Sequence, residues 1–164
     1  QKLVKDYQCP QIVLEPLPVF TVLKDLVVDM SSFLDGIHAV KPYLIAAHGG
    51  AEQEIPQTPE DRKKIDDVIR CIMCACCTSS CPVRGYNSKY LGPAALMWAY
   101  RYIYDSRDAS QAERLKQLDD PDGVHACVNF FECTRVCPKE IPVTKSINLI
   151  RREIDRARSD KADG

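Results

Sequence analysis

The chain has 164 residues, a formal net charge of -1, 27% charged residues and 45% hydrophobic residues. That length suits one domain or little more, and so balanced a charge offers no basic field to a nucleic acid. The longest apolar stretches, residues 44–47 and 94–100, fall far short of the ~20 residues a spanning helix needs, so any membrane contact is expected to be peripheral.

Residues 15–20 contain Pro16 and Pro18 and read as extended. Val22, Leu26, Val27, Met30, Phe33 and Leu34 then recur at helical spacing and predict a first amphipathic helix over about 22–37. Pro42 ends it or starts a turn, and residues 47–58, with Gly49, Gly50 and Pro56, read as an exposed loop. Thr58-Pro59-Glu60-Asp61 combines a cap, a first-turn proline and two acids beside the positive dipole end, and predicts a helix that delivers Arg70 to a cysteine-rich loop. Gly92-Pro93 opens a further helix with Ala95, Leu96, Ala99, Tyr102 and Ile103 on its apolar face and Asp105 at its close. Ser110 is placed as the cap of a short helix through Leu118, and residues 119–123 (Asp-Asp-Pro-Asp-Gly) as a turn. Pro142 begins the last helix. Its buried face is marked by Ile147, Ile150 and Ile154, with Arg151, Arg152, Arg156 and Arg158 toward the negative dipole end. No alternating strand pattern is read after residue 20, so the expected fold class is all-α.

Nine cysteines dominate the chemistry, and two runs of them each close on Cys-Pro. Two-cluster ferredoxins use Cys-x2-Cys-x2-Cys-x3-Cys-Pro, in which the fourth cysteine of each run ligates the cluster held by the other. Cys71, Cys74, Cys77 and Cys81-Pro82 fit this pattern throughout. In the second run Cys127, Cys133 and Cys137-Pro138 take the first, third and fourth places, but the second place is Phe130. Crossed ligation then assigns Cys71, Cys74, Cys77 and Cys137 to a 4Fe-4S cluster. It leaves Cys81, Cys127 and Cys133 for a second site that lacks a fourth thiolate, where a 3Fe-4S cluster is expected. Cys76 has no place in the pattern and is read as a buried free thiol.

Structural zinc also favours Cys-x2-Cys pairs, but would not account for the third and fourth cysteines of the run or for the proline after it. Disulfides fit less well: the cysteine count is odd, no secretory signal is visible, and the spacing suits metal. The compartment is therefore read as reducing. The chain opens on Gln1 with no Arg-rich or apolar leader, which fits a mature product whose targeting segment has been removed.

Residues 71–77 (Cys-Ile-Met-Cys-Ala-Cys-Cys), 91–96 (Leu-Gly-Pro-Ala-Ala-Leu), Ala99-Tyr100-Arg101 and Asp105-Ser106-Arg107-Asp108 resemble the iron-sulfur subunit of succinate dehydrogenase, respiratory complex II. Glu15-Pro16-Leu17-Pro18 with residues 24–29 (Lys-Asp-Leu-Val-Val-Asp) is similar to the start of that subunit's C-terminal domain. The resemblance implies an α-helical ferredoxin domain over residues 22–158, between an extended N-terminal tail at 1–21 and a C-terminal tail at 159–164. It implies an electron-transfer subunit with no substrate chemistry of its own. Electrons would come from a FAD-bearing flavoprotein through a 2Fe-2S cluster, then the 4Fe-4S and 3Fe-4S clusters, to ubiquinone beside membrane-anchor subunits. The implied location is the matrix side of the mitochondrial inner membrane, or in a bacterium the cytoplasmic side of the cytoplasmic membrane. Fumarate reductase subunits are close relatives, and subunits of hydroxy-acid oxidases or disulfide reductases are a more distant alternative.

Two departures stand out. The 2Fe-2S domain of the family needs four cysteines of its own, and only Cys9 precedes Cys71; that domain is therefore expected on another chain, as in the naturally split subunits of some unicellular eukaryotes, or to have been cut away. At the quinone site Pro82 is kept, but the family's Trp pair becomes Gly85-Tyr86 and its His becomes Val128. Tyr86 can still donate a hydrogen bond from its phenol, so Pro82 and Tyr86 are the candidates for the quinone vicinity. His38 and His48 are read as ordinary core or surface residues, and His125 and Arg84 as candidates for tuning the clusters. Tyr90, Trp98, Tyr100, Tyr102 and Tyr104 are read as packing residues.

Overall fold

The computed structural model describes residues 13–46 and 54–162. Cys9, His48 and most of the expected 47–58 loop lie outside the described residues. The first element corrects the sequence reading: in place of a helix from Val22, strands β1 (Val22–Lys24) and β2 (Val27–Val28) form an antiparallel hairpin. Asp25 takes the left-handed conformation in the turn, at φ 51°. The β-branched valines favour extended backbone, and Val22, Leu23 and Val27 stay exposed, so the periodicity that suggested a helix was not marking a buried face. Helix α1 (Ser31–Ala39) starts only after Asp29 Oδ1 accepts the Ser31 N–H at 2.9 Å. It buries Phe33 and Ile37, and Phe20 meets Phe33 edge to face at 6.5 Å.

Helix α2 (Pro59–Ile65) begins as expected, with Thr58 Oγ1 accepting the Asp61 N–H at 3.1 Å. It stops at Ile65, and a separate 3-10 turn, Val68–Arg70, leads into Cys71. Short helices α3 (Cys76–Ser79) and α4 (Pro82–Tyr86) follow the first cysteine run. Helix α5 (Pro93–Ile103) is the centre of the molecule, with all five predicted apolar positions buried. Helix α6 (Gln111–Leu118), a 3-10 turn (Val124–Ala126) and α7 (Glu132–Arg135) lead to α8 (Val143–Ala162), which packs along α5 through Ile147, Ile150 and Ile154.

Charged groups tie the loops to this core. Arg114 is 2% exposed; it donates to the carbonyls of Val40, Lys41 and Tyr43 at 2.7, 2.8 and 2.9 Å and to Asp108 Oδ2 at 3.0 Å. Asp108 in turn accepts from the Ile45 and Ser110 backbone N–H groups at 3.0 and 2.9 Å. Ser110 therefore does not cap α6 with its side chain: its hydroxyl donates to Asp108 and accepts from Arg114 Nε. Asp105 lies just beyond α5, and its carboxylate is held by Arg107 and Arg101. Burial alone would raise that carboxyl, but the two guanidinium groups hold it far below the usual range.

Candidate metal centres

The two cysteine runs share one backbone course. Each is entered by a 3-10 turn whose final cap is the first cysteine, Cys71 or Cys127, in extended conformation. Two and four residues on, both runs turn left-handed: Met73 (φ 54°) and Ala75 (φ 59°) in the first, Asn129 (φ 61°) and Phe131 (φ 64°) in the second. None is glycine, so the strained conformation is kept only because the surrounding loop requires it. A one-turn helix then carries Cys77 or Cys133, with matching hydrogen bonds from Thr78 N to Ala75 O and from Thr134 N to Phe131 O, both at 3.0 Å. In this correspondence Phe130 occupies the backbone position of Cys74.

The side chains sort as crossed pairing requires. Cys71, Cys74 and Cys77 line an open cavity with Cys137 from the other run. Cys127 and Cys133 line a second with Cys81 from the first run, and Phe130 stands in its wall. Among the described residues no three His, Cys, Asp or Glu side chains are grouped to hold a single ion; a tetrahedral zinc site would bring thiolate sulfurs within about 3.8 Å of one another. The donor sets suit a larger polynuclear group.

Burial dominates the chemistry of these thiols. It raises Cys71, Cys81 and Cys133 above the usual range and pushes Cys77 up to about 12. Local donors oppose it: the backbone N–H groups of Arg84 and Val83 favour a thiolate at Cys81, and Thr144 favours one at Cys133, its Oγ1 lying 3.3 Å from the sulfur. Thiolates in these cavities therefore need a cationic centre to stabilise them, and binding it releases protons. Buried polar atoms fit the same group: Thr78 Oγ1 and Trp98 Nε1 stand beside Cys77 and Cys71 and have no hydrogen-bond partner among the described residues.

Other expectations change in detail. Cys76 is half-buried rather than buried and sits beside Cys74, which together with burial raises its thiol. His125 does not face a cysteine; Nε2 lies 2.8 Å from Asp119 Oδ1. The Arg84 guanidinium is spent on the carbonyls of Ser88 and Tyr90, although its charge still favours the Cys81 thiolate slightly. The packing reading of Tyr100, Tyr102 and Tyr104 holds, their phenols bonding to the carbonyls of Lys64, Pro42 and Leu149. Pro82 and Val128 line the second cavity, whereas Tyr86 lies outside its wall and is 70% exposed. A side chain at Gly85 would meet nothing within 4 Å.

The role of Arg151 escaped the sequence reading. Arg151 does not serve the dipole end of α8; it donates to the carbonyls of Val124 and Cys127 at 3.0 and 2.6 Å and pins the second run to that helix. Its place one residue after buried Ile150 was the available signal. Tyr90, 1% exposed, lies in the wall of the second cavity, where burial and then the nearby Cys127, Cys81 and Cys133 hold its phenol protonated.

Residues 67–141 match the 4Fe-4S dicluster domain family. The chain is 44% identical over 145 residues to a succinate dehydrogenase iron-sulfur subunit of Coxiella burnetii, covering 88% of this chain and 62% of that protein. It is 44% identical over 137 residues to the subunit of the same name from Paracoccus denitrificans, covering 83% of this chain and 53% of the relative. Its fold resembles a chain of the Mycobacterium smegmatis Sdh1 complex in the apo form, with a TM-score of 0.78 at 24% identity over 87% of this chain and 61% of that one. The chain thus spans between half and two thirds of the relatives it matches. Along most of its length it is therefore similar to succinate dehydrogenase iron-sulfur subunits, with a segment that matches the 4Fe-4S dicluster domain family.

Proposed function

We propose that this chain is an electron-transfer subunit of succinate:quinone oxidoreductase. Cys71, Cys74, Cys77 and Cys137 hold a 4Fe-4S cluster, and Cys81, Cys127 and Cys133 a 3Fe-4S cluster; when bound, the two supply one-electron carriers. The observation that carries this reading is the crossed sorting of the thiols between two adjacent cavities, with Phe130 where the second set would need its fourth sulfur. Electrons enter from a FAD-bearing flavoprotein through a 2Fe-2S cluster. Domain limits at residues 22 and 158 belong to the same proposal.

The exit is to ubiquinone at the rim of the second cavity. Val128, Phe130 and Phe131 are 55%, 53% and 59% exposed there, an apolar border suited to a quinone and to membrane-anchor subunits. Pro82 lines the same border, and the exposed Tyr86 phenol, at the end of the short helix that Pro82 opens, is the proposed hydrogen-bond donor. No described helix is long and apolar enough to cross a membrane; the position that belongs to this proposal is peripheral, on the matrix or cytoplasmic side. The test is anaerobic addition of succinate to the native complex containing this chain, with a subunit inventory by intact mass. Reduction of its iron-sulfur centres, together with a flavoprotein and a 2Fe-2S cluster in the complex, is expected. Centres that stay oxidised while the flavin is reduced would overturn the reading.

A further inference from the structure

Three buried side-chain polar atoms lack a hydrogen-bond partner among the described residues: Thr78 Oγ1, Trp98 Nε1 and Arg151 Nε. A buried donor left unmade is costly and calls for a reason. Two of the three stand beside cysteines that line one cavity. Trp98 follows Met97 and Ala94 on α5, both of which line the cavity of Cys71, Cys74, Cys77 and Cys137. Its indole N–H faces the Cys71 sulfur without closing a hydrogen bond. Thr78 follows Cys77 directly, and its hydroxyl stands in the same relation to that sulfur. A neutral thiol is a weak acceptor, whereas an anionic sulfur accepts strongly. In the second cavity the counterpart of Thr78 is already paired: Thr134 lies 2.9 Å from Thr144 Oγ1, and Thr144 lies 3.3 Å from Cys133 Sγ.

We propose that the Trp98 indole N–H and the Thr78 hydroxyl donate hydrogen bonds to the Cys71 and Cys77 sulfurs when a 4Fe-4S cluster is held there, and that they raise its reduction potential. The inference rests on the cluster assignment above. Reduction adds negative charge that spreads onto the sulfurs, so a donor aimed at them favours the reduced form. Both groups act through the cysteines as positioning residues. Trp98 is suited to this because its ring is fixed against Tyr102 at 6.5 Å between centroids, which orients the N–H.

The test is an EPR-monitored redox titration of the native complex. Trp98→Phe keeps an aromatic ring and removes the N–H; Thr78→Val keeps the shape and removes the hydroxyl, while Thr78→Ser keeps the hydroxyl. Each loss is expected to shift the 4Fe-4S reduction equilibrium toward the oxidised form by up to about tenfold, ~59 mV for a one-electron couple. Thr78→Ser keeps the parent value, and the 3Fe-4S midpoint does not move. Pulsed ENDOR on the reduced centre should lose an exchangeable proton coupling in Trp98→Phe. Loaded variants with the parent midpoint and couplings would overturn the proposal alone; a parent complex without the 4Fe-4S signal would overturn the cluster assignment beneath it.

Discussion

Phe130→Cys supplies the sulfur that the second cavity lacks. The backbone is ready for it, because Phe130 sits between left-handed Asn129 and Phe131 as Cys74 sits between Met73 and Ala75, so the new side chain leaves the loop in the direction of its counterpart. Phe130 is 53% exposed. Full burial of a phenylalanine contributes about 1.5–3 kcal/mol, so removing a half-exposed one costs roughly 1 kcal/mol and leaves the fold intact. The expected result is conversion of the 3Fe-4S centre to 4Fe-4S. EPR of the oxidised complex loses most of its signal, and the reduced complex gains a second 4Fe-4S spin system. Iron per chain rises correspondingly. An oxidised 3Fe-4S signal of unchanged intensity, in a variant whose substitution is verified by intact mass, would refute the correspondence between the two runs.

Arg114→Met leaves Asp108 charged and buried and three carbonyls without their donor; breaking such a pair costs about 3–5 kcal/mol, read as a thermal-unfolding midpoint lower by roughly 10 °C. Adding Asp108→Asn to that variant should recover part of the loss, because no isolated charge then remains. Arg151→Leu frees the carbonyls of Val124 and Cys127 and should make the 3Fe-4S centre the first to be lost to a chelator, with the 4Fe-4S signal kept; equal loss of both would show that Arg151 does not hold the second run. Tyr86→Phe should raise the KM for quinone about threefold or more, as loss of one hydrogen bond implies, and leave both EPR signals as they are; an unchanged KM removes Tyr86 from the quinone site.

The cysteine runs were legible because their chemistry fixes spacing, and the helix starts at Thr58-Pro59, Gly92-Pro93 and Pro142 because capping and proline act within a few residues. The sharing of each cavity by cysteines of both runs follows from the same repeat, since the two halves repeat one pattern. The hairpin at 22–28 was not: its valines recur as a helix face would, and only their exposure shows that the spacing was not a core stripe. Arg151 and Arg114 escaped for a different reason. Their partners are carbonyls brought close by α8 and by the 40–43 loop, and backbone acceptors leave no mark in a sequence. Trp98 was read as packing for the same reason, since nothing local says that its N–H faces a sulfur across the cavity wall.

The measurement that tests the account most directly is quantitative EPR on the anaerobically purified native complex, first oxidised and then fully reduced, with iron and acid-labile sulfide determined on the same sample. The account predicts a 3Fe-4S signal in the oxidised state and a 4Fe-4S signal on reduction, each close to one per chain. Stoichiometric zinc with no EPR signal in either state would contradict it.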